Sequence, residues 1–397
     1  MASDEILAVV AGHLCLDIIP DLSQVSVQAA RFFAPGTLVE VGPAALSTGG
    51  SVSNTGLALI RLGIPTALMG KVGDDPFGML VRLLLERWGA AESLVVVPGE
   101  ATSYTVVLSP QGLDRMFLHN PAANDTFCAG DVRYDVVAQA RLFHLGYPTL
   151  LRRFCVDGGR ELAEVFRRAK ELGVTTSLDV SLPDPSSPGG RADWRAILNR
   201  VMPYVDIFLP NAEEALYMLD RQRYASFREI SPQDILPLFT GEDLGWLSDA
   251  LLGMGGKIIG IKCGERGFYL RTADVSRLRE LGKARPGDLP GWASREVWEP
   301  TFHVADYAGA TGAGDSAIAG FLAAYLRGHA FEQCVRYACA VGAFNVTAPD
   351  ALSGLRSWDE TVAAVDAGWE KNPLEVTGDG WARTQDGLWL GPRDSKG

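Results

Sequence analysis

Strand-length and helix-length apolar patterns alternate through the middle of this sequence, and the alternation constrains the fold more than any other feature. Alternating strands and helices build a mostly parallel sheet with helices on both faces. We therefore predict an α/β fold with a three-layer α/β/α core. The segments that carry the alternation are strand 142–145, helix 159–172, strand 174–180, helix 193–202, strand 205–209, helix 211–219 and strand 257–262.

Two stretches, at about 13–47 and 101–122, interrupt this pattern. In the first, residues 37–41 alternate among nearby Pro and Gly residues, which is typical of a short, half-exposed strand. In the second, two strand-like runs flank the turn sequence Ser109-Pro110-Gln111-Gly112, as in a hairpin. We predict that the two stretches form one small β-sheet.

Three further segments lack a sustained pattern. Residues 221–250 and 272–300 are rich in charge, Pro and Gly, so we predict that both are insertions. Residues 372–397 contain several glycines and little periodicity, and we predict an extended C-terminal tail there. On this division, residues 1–371 form a single domain.

The charge balance limits the classes of ligand. The chain has 36 Lys and Arg against 48 Asp and Glu, a net charge of −12, whereas nucleic-acid-binding proteins normally present a basic face. We therefore expect no nucleic-acid partner, and any bound anion needs a local device. The 44 glycines exceed the average usage of about 7%, and glycine is used where the backbone turns tightly or approaches a ligand closely.

The sequence also indicates a cytoplasmic location. No run of about 18 apolar residues is present, so we expect no membrane partner. The first residues carry acids where a secretory signal would carry a basic region. The six cysteines have irregular spacings without C-x-x-C, which fits reduced thiols.

The strongest local motif is Ala308-Gly309-Ala310-Thr311-Gly312-Ala313-Gly314-Asp315, followed by a helical pattern. Glycines before a helix leave backbone N–H groups at its N-terminus that can hold an anion such as phosphate. Asp315 is either the helix N-cap or a carboxylate that takes a proton from a hydroxyl attacking phosphorus. Residues 312–317 also match a dinucleotide fingerprint, but the acid expected at the end of the next strand is missing, since Glu332 lies in another helical pattern.

A second motif, Thr48-Gly49-Gly50-Ser51-Val52-Ser53-Asn54, opens an earlier helical pattern. The paired glycines allow the backbone to approach a ligand, and the Asn54 amide can donate to and accept from neighbouring hydroxyls. The alternative is a glycine-rich loop whose Asn caps a helix.

Taken together, these motifs resemble the two signatures of the ribokinase-like (PfkB) carbohydrate kinase family. The resemblance extends over most of the chain. The matching segments are Gly12 with Asp17, Gly49-Gly50 with Asn54, Val72-Gly73-Asp74-Asp75 with Gly78, Asp114-Arg115-x-Phe117, Asn211-x-x-Glu214, Lys262-Cys263-Gly264-x-x-Gly267 and Thr311-Gly312-Ala313-Gly314-Asp315.

The resemblance implies an α/β core with a small β-sheet lid, formed by the two stretches 13–47 and 101–122, that covers the sugar. It implies transfer of the γ-phosphate of ATP to a hydroxyl of a sugar or sugar-like molecule, with Mg²⁺ as cofactor. Asp315 would be the general base. The amides of Gly312, Ala313 and Gly314 would stabilise charge on the transferred phosphoryl group.

Further roles follow from the same resemblance. Asn211 and Glu214 would organise Mg²⁺ through water, and the alternative is a helix cap with a solvated Glu. The residues expected to bind the acceptor are Asp17, Gly49, Gly50, Asn54 and Arg115. Those expected near the nucleotide are Thr311, Lys262, Gly264, Gly267 and Asn345, although Asn345 could equally be a packed helix residue.

Three matters stay open at this point. The family usually has Asp or Asn six residues before the base, where this chain has Gly309, so activation by a monovalent cation is doubtful. The acceptor could also be a nucleoside or a sugar acid, or the chain could be a non-catalytic sugar-binding relative. An exposed edge of the lid could pair with a second copy, which would give a homodimer.

Overall fold

A computed structural model describes residues 5–23, 25, 35–36, 38–109 and 116–395, whose strands form one large sheet and two smaller ones. In chain order the strands are β1 (Ala8–Gly12), β2 (Cys15–Pro20), β3 (Ala44–Gly49), β4 (Thr66–Met69), β5 (Lys71–Gly73), β6 (Val95–Val97), β7 (Tyr104–Leu108), β8 (Met116–Asn120), β9 (Leu142–Gly146), β10 (Thr175–Leu178), β11 (Ile207–Phe208), β12 (Ile258–Lys262), β13 (Phe268–Thr272), β14 (Glu296–Glu299), β15 (Ala382–Arg383) and β16 (Trp389–Leu390).

The helices follow the predicted alternation. They are α1 (Ser51–Arg61), α2 (Pro76–Glu86), α3 (Tyr134–Val137), α4 (Arg152–Cys155), α5 (Arg160–Glu171), α6 (Pro188–Arg191), α7 (Trp194–Val201), α8 (Ala212–Leu219), α9 (Arg221–Ile230), α10 (Gly241–Gly253), α11 (Val275–Leu278), α12 (Leu289–Trp292), α13 (Ala313–Leu326), α14 (Phe331–Asn345) and α15 (Trp358–Asp366). Short 3₁₀ turns lie at Ala122–Asp125, Ala129–Asp131, Pro148–Leu150, Asp157–Gly159, Met202–Tyr204, Leu236–Leu238 and Gly264–Arg266.

The large sheet has ten strands in the order β15-β16-β14-β13-β12-β11-β10-β9-β1-β4 among the described residues. The pairs from β4 through β1, β9, β10 and β11 to β12 are parallel. The pairs from β12 through β13, β14 and β16 to β15 are antiparallel. The carboxyl ends of the parallel strands therefore meet at one edge of the sheet, which is where ligands bind in open α/β sheets.

Both faces of the large sheet are buried. Successive side chains of a strand point to opposite faces, so each strand contributes to two cores. Along β1, Val9 and Ala11 enter one core while Ala8 and Val10 enter the other. The first core is covered by helices that include α5, α7, α8 and α10, and the second by α1, α13 and α14. The predicted three-layer α/β/α fold is confirmed.

The small sheet has the order β3-β2-β7-β8 and is formed by the two predicted stretches. Its β2–β3 and β7–β8 pairs are antiparallel, and β2–β7 is parallel. The first stretch contributes its second strand at Ala44–Gly49 rather than at the predicted 37–41. The predicted turn between β7 and β8 falls mostly on residues 110–115, outside the described part of the chain. We call this four-stranded sheet the lid.

The segment 221–250, predicted as an insertion, contains most of a core helix. Helix α10 buries Leu244, Leu247 and Leu251 in the first core. The helical pattern of α10 is hard to recognise because Gly241 and Gly245 interrupt it. C-terminal residues pack against both glycines: a Cβ on Gly241 would lie 2.5 Å from the Trp381 ring nitrogen, and one on Gly245 would lie 2.5 Å from a guanidinium nitrogen of Arg393. The prediction for 221–250 is therefore corrected.

The other two segments predicted to lie outside the core are also part of it. Within 272–300, Leu278 and Trp292 are buried in the second core, and β14 is a strand of the large sheet. The C-terminal residues add β15 and β16 to the edge of that sheet instead of forming an extended tail. No helix of the described residues is long and apolar enough to cross a membrane.

A buried ion pair holds the C-terminal segment against the sheet. Arg295 is fully buried, and its Nε donates to Asp394 Oδ1 at 3.1 Å and Oδ2 at 2.9 Å. Asp394 Oδ2 also accepts the backbone N–H of Glu296 at 2.9 Å. The C-terminal segment is thus tied to the sheet by a contact between residues about 100 positions apart.

We predict that Asp394→Ala lowers the free energy of unfolding by about 3 kcal/mol, because removing one partner leaves a buried charge poorly compensated. Urea unfolding followed by tryptophan fluorescence measures the change. Asp379→Ala is the matched control, since Asp379 is an exposed carboxylate of the same segment. A loss below about 1 kcal/mol, as expected of an exposed pair, would contradict a structural role for this segment.

Candidate active site

Asp315 lies at the carboxyl edge of the large sheet, in the first turn of α13. The N-cap of this helix is Gly312, with φ of 73°, so the interpretation of Asp315 as N-cap is wrong. Gly312 is required here because a Cβ would lie 2.5 Å from that of Ala351, and because this φ favours glycine. The Asp315 side chain is 3% exposed.

Three side chains donate hydrogen bonds to the Asp315 carboxylate. Asn54 Nδ2 donates to Oδ2 at 3.0 Å, and Thr55 Oγ1 donates to Oδ1 at 3.2 Å. The Tyr147 hydroxyl lies 2.9 Å from Oδ1 and 2.8 Å from Oδ2. The two predicted motifs, which end in Asn54 and Asp315, therefore meet at this carboxylate. They meet because helix α1 packs against α13, so that the first turns of the two helices lie together.

The predicted anion-binding amides are only partly available. The Ala313 N–H donates to the Ala310 carbonyl at 3.1 Å, so in this structure it is already paired. Gly314 lines a cavity together with Lys262, and a Cβ on Gly314 would lie 3.6 Å from Nζ of Lys262. The helix N-terminus and a lysine ammonium thus face the same space, an arrangement that favours an anion.

Lys262 ends β12 and belongs to a group of buried charges. Its Nζ donates to Asp179 Oδ1 at 2.8 Å, while Asp179 Oδ2 is buried without a hydrogen-bond partner among the described residues. Burial raises the pKa of Asp179 to about 6 against the opposing charge of Lys262, with Asp315 adding to the rise. Asp179, which follows β10, was not predicted from the sequence.

Asn211 and Glu214 form the reciprocal cap of helix α8. The Asn211 N–H donates to Glu214 Oε2, and the Glu214 N–H donates to Asn211 Oδ1, both at 2.7 Å. The capping interpretation therefore holds for both, but Glu214 is not solvated, since it is 6% exposed. Burial raises its pKa to about 8 against the charge of Lys262, with Asp179 adding to the rise.

A cavity of about 570 Å³ extends from the N-terminus of α13 along β12, β13 and α14. Of the residues predicted near the nucleotide, Lys262, Gly264 and Gly267 line it, but Thr311 and Asn345 do not. Asn345 is fully buried, and its Nδ2 donates to the Ala351 carbonyl at 2.8 Å, as expected of a packed helix residue. The packing of Asn345 agrees with the second of the two alternatives given for it, and a position near the nucleotide stays a prediction.

The described residues among those predicted to bind an acceptor lie on the lid side of Asp315. Asp17 on β2 faces Gly49, where a Cβ would lie 2.2 Å from Asp17 Oδ2. The Cys15 thiol donates to Asp17 Oδ1 at 3.2 Å, and burial raises the pKa of Asp17 to about 6. Gly50 has φ of 89° and packs against His13, while Arg115 lies outside the described residues.

A comparison with family models explains this arrangement. The model of the pfkB family of carbohydrate kinases matches residues 7–358. The chain belongs to the pfkB family of carbohydrate kinases. Fructokinase-2 of Solanum lycopersicum is 27% identical over 382 residues, which cover 92% of this chain and 98% of that protein.

Solved structures agree on the fold of this kinase. The structure of Arabidopsis thaliana ribokinase complexed with ribose and ATP has a TM-score of 0.65 and 19% identity, and the match covers 90% of this chain and 97% of that one. A putative ribokinase II from E. coli in complex with ATP and Mg²⁺ gives a TM-score of 0.63 at 20% identity, with 91% and 99% covered. The predictions of a carbohydrate kinase and of a ribokinase-like fold are thus confirmed.

Three residues of the site, Thr55, Tyr147 and Asp179, were not predicted from the sequence. Thr55 is adjacent to the predicted Asn54. The other two directly follow β9 and β10, so both lie at the carboxyl edge of the sheet, where ligand-binding residues of parallel sheets gather. Polar residues at the ends of predicted parallel strands were the signal that could have found them.

We predict that Asp17→Asn stabilises the fold by about 2 kcal/mol at pH 8. Because the pKa of Asp17 is raised in the folded protein, ionisation of Asp17 lowers the free energy of unfolding. This destabilisation is complete above pH 6 and vanishes below pH 3.8, the ordinary pKa of the group in the unfolded chain. The gain should therefore shrink as the pH falls toward 4. Urea unfolding at pH 8 and pH 4.5 measures it.

Asp21→Asn is the matched control for this pH dependence. Asp21 is an exposed carboxylate near the end of the same strand, and hydrogen bonds from Ser23 lower its pKa. Its replacement should give no gain at pH 8. An Asp17→Asn protein that is less stable than the wild type at pH 8 would contradict the assignment of an unfavourable buried carboxylate.

Proposed function

We propose that this kinase transfers the γ-phosphoryl group of ATP to a hydroxyl of a sugar, with Asp315 as the general base. The observation that carries the proposal is the buried Asp315 carboxylate in the first turn of α13, next in the chain to Gly314, which lines the cavity together with Lys262. A base must lie within hydrogen-bond reach of the hydroxyl that it deprotonates, and next to the site where the phosphoryl charge develops.

In the proposed reaction the acceptor hydroxyl donates its proton to Asp315 as its oxygen bonds to the γ-phosphorus. The bond between that phosphorus and the oxygen bridging it to the β-phosphorus breaks, and ADP leaves. Gly312 and Gly314 supply backbone amides for the transferred group, and Lys262 supplies a positive charge. The lid residues Asp17 and Gly49 hold the acceptor through its hydroxyls.

ATP is supported by the cavity beside Gly314 and by the ATP named in the complexes of two similar folds. For Mg²⁺, the donor set is suitable: Glu214 and Asp179 are buried carboxylates near Lys262, which lines the cavity, and Asp179 Oδ2 has no described partner. The described residues contain no cluster of three or more ligating side chains, which fits an ion held largely by water and phosphates. The ion would neutralise phosphate charge.

The acceptor class rests on family membership and not on a contact. A sugar is the first candidate because the relatives include fructokinases. A nucleoside or a sugar acid would use the same base and the same anion site. A non-catalytic sugar-binding relative would have no use for a buried carboxylate beside a helix N-terminus. For a monovalent cation, Gly309 supplies no side-chain oxygen and Asp306 is exposed, so we expect no strict requirement.

We predict that Asp315→Asn lowers kcat at least about 100-fold while ATP affinity changes little, because the amide cannot accept the proton. Sugar phosphate formation over pentoses, hexoses, sugar acids, nucleosides and cyclitols measures activity, and calorimetry measures ATP binding. Asp359→Asn, an exposed carboxylate, should leave both unchanged. Near-normal kcat in Asp315→Asn refutes the base; silence of the wild type over all acceptors favours the non-catalytic relative.

We further propose a homodimer through the lid. Within the part of the chain that the structure describes, the edge strands of the lid are β3 and β8, and they expose Leu46, Phe117 and Leu118 by 42%, 59% and 54%. Open strand edges with apolar side chains can pair with a second copy.

We predict that Phe117→Asp converts the dimer to a monomer, because it places a charge in an apolar interface. Sedimentation velocity at several protein concentrations measures the mass. The control is Ile230→Asp, which changes an equally exposed residue on α9, away from the lid. A wild-type protein that stays monomeric at micromolar concentration contradicts the dimer.

A further inference from the structure

Tyr147 contacts the general base in a manner that neither the family signatures nor the proposed transfer requires. Its hydroxyl lies within 2.9 Å of both oxygens of Asp315, closer than Asn54 or Thr55 lie to either oxygen. The pKa of Tyr147 is raised by burial, with the Asp315 charge adding to the rise. The hydroxyl therefore stays protonated and donates to the carboxylate.

The backbone at Tyr147 is held in an uncommon conformation to make this contact. Tyr147 directly follows β9 and has φ of 58° and ψ of 45°, a left-handed conformation that a bulky side chain adopts rarely. Two features hold this backbone conformation. The Tyr147 N–H donates to the Asp179 carbonyl at 3.2 Å, and Pro148 follows Tyr147 in the chain. Strain of this kind persists where the surrounding structure fixes it, and it gathers at functional sites.

The tyrosine hydroxyl presents to Asp315 the same group that an acceptor would present, an O–H that donates to the carboxylate. Any donor in that position excludes a water molecule from it. A water hydrogen-bonded to the base beside bound ATP is itself an acceptor: its oxygen would bond to the γ-phosphorus, its proton would pass to Asp315, and the bond to the bridging oxygen of ADP would break. The products are phosphate and ADP, without a sugar phosphate.

We propose that Tyr147 suppresses ATP hydrolysis by occupying the proton-accepting oxygens of Asp315 until an acceptor hydroxyl takes one of them. Because the phenol reaches both oxygens, it can keep one while the acceptor uses the other, and Asn54 and Thr55 hold the carboxylate in place. The inference rests on the proposed role of Asp315 as base. It makes Tyr147 a residue that sets the preference for a hydroxylated acceptor over water.

The test is Tyr147→Phe, which removes the hydroxyl and keeps the ring. ADP release is measured with Mg²⁺ and ATP in the absence of sugar, and sugar phosphate formation is measured separately with the best acceptor. We expect the ratio of the hydrolysis rate to the transfer rate to rise at least about tenfold. A merely structural role would lower both rates together and leave their ratio unchanged, which would overturn the proposal.

One further variant and one control sharpen the result. Tyr147→Asn also lacks the hydroxyl, and Asn tolerates the left-handed backbone, so it is expected to fold and to raise the same ratio. Tyr134→Phe is the control, because the Tyr134 hydroxyl is buried without a hydrogen-bond partner among the described residues and its ring packs on the first core from helix α3. It should leave the ratio at the wild-type value; an equal rise there would overturn the proposal.

The double variant Tyr147→Phe with Asp315→Asn separates this inference from the proposed function. If Asp315 activates the water, the added hydrolysis disappears in the double variant, and its persistence would overturn the inference. Normal transfer by the wild type with an unchanged ratio in Tyr147→Phe defeats the inference alone. Absence of transfer to any acceptor, together with raised hydrolysis in Tyr147→Phe, defeats the proposed acceptor and supports the role of Tyr147.

Discussion

The burial of the Asp315 carboxylate is the constraint on which the rest of the site depends. A buried charge is costly unless hydrogen bonds and nearby dipoles compensate it. Here the N-terminal turn of α13 supplies the dipole, and Asn54, Thr55 and Tyr147 supply the donors. The compensation requires α1 to cross α13 at its first turn and β9 to end at the same point, so one charge ties two helices to the sheet.

The electrostatics of the site favour a ligand that brings its own positive charge. Asp179, Glu214 and Asp315 are all buried near one lysine, Lys262, in a chain of net charge −12. If all three were ionised, three carboxylates around one ammonium would repel the phosphates of a nucleotide, and the raised pKa of Glu214 already shows that its ionisation is opposed. A divalent ion bound to those phosphates reverses this balance, which is a physical reason for the proposed Mg²⁺ that does not depend on family membership.

The parts of the protein that could be predicted from sequence are those whose signal is local. Strand and helix alternation gave the layers, and the glycines around Gly49 and Gly312 marked two of the turns at the site. Tyr147 and Asp179 were missed because a single polar residue after a strand has no spacing pattern. The C-terminal segment was misjudged because its glycines and missing periodicity give no sign of a contact such as that of Asp394 with Arg295, which are neighbours only in the folded chain.

Unfavourable backbone conformations and unfavourable buried charges are concentrated at the candidate active site. Gly312 and Tyr147 both have left-handed backbone, and Asp17, Asp179 and Glu214 carry pKa values raised by burial. Each of these features costs stability in the unliganded protein and gathers where ligands would relieve it: acceptor hydroxyls at Asp17, and a cation at Asp179 and Glu214. The large cores on both faces of the sheet supply the stability that tolerates this concentration of strain and charge at one edge.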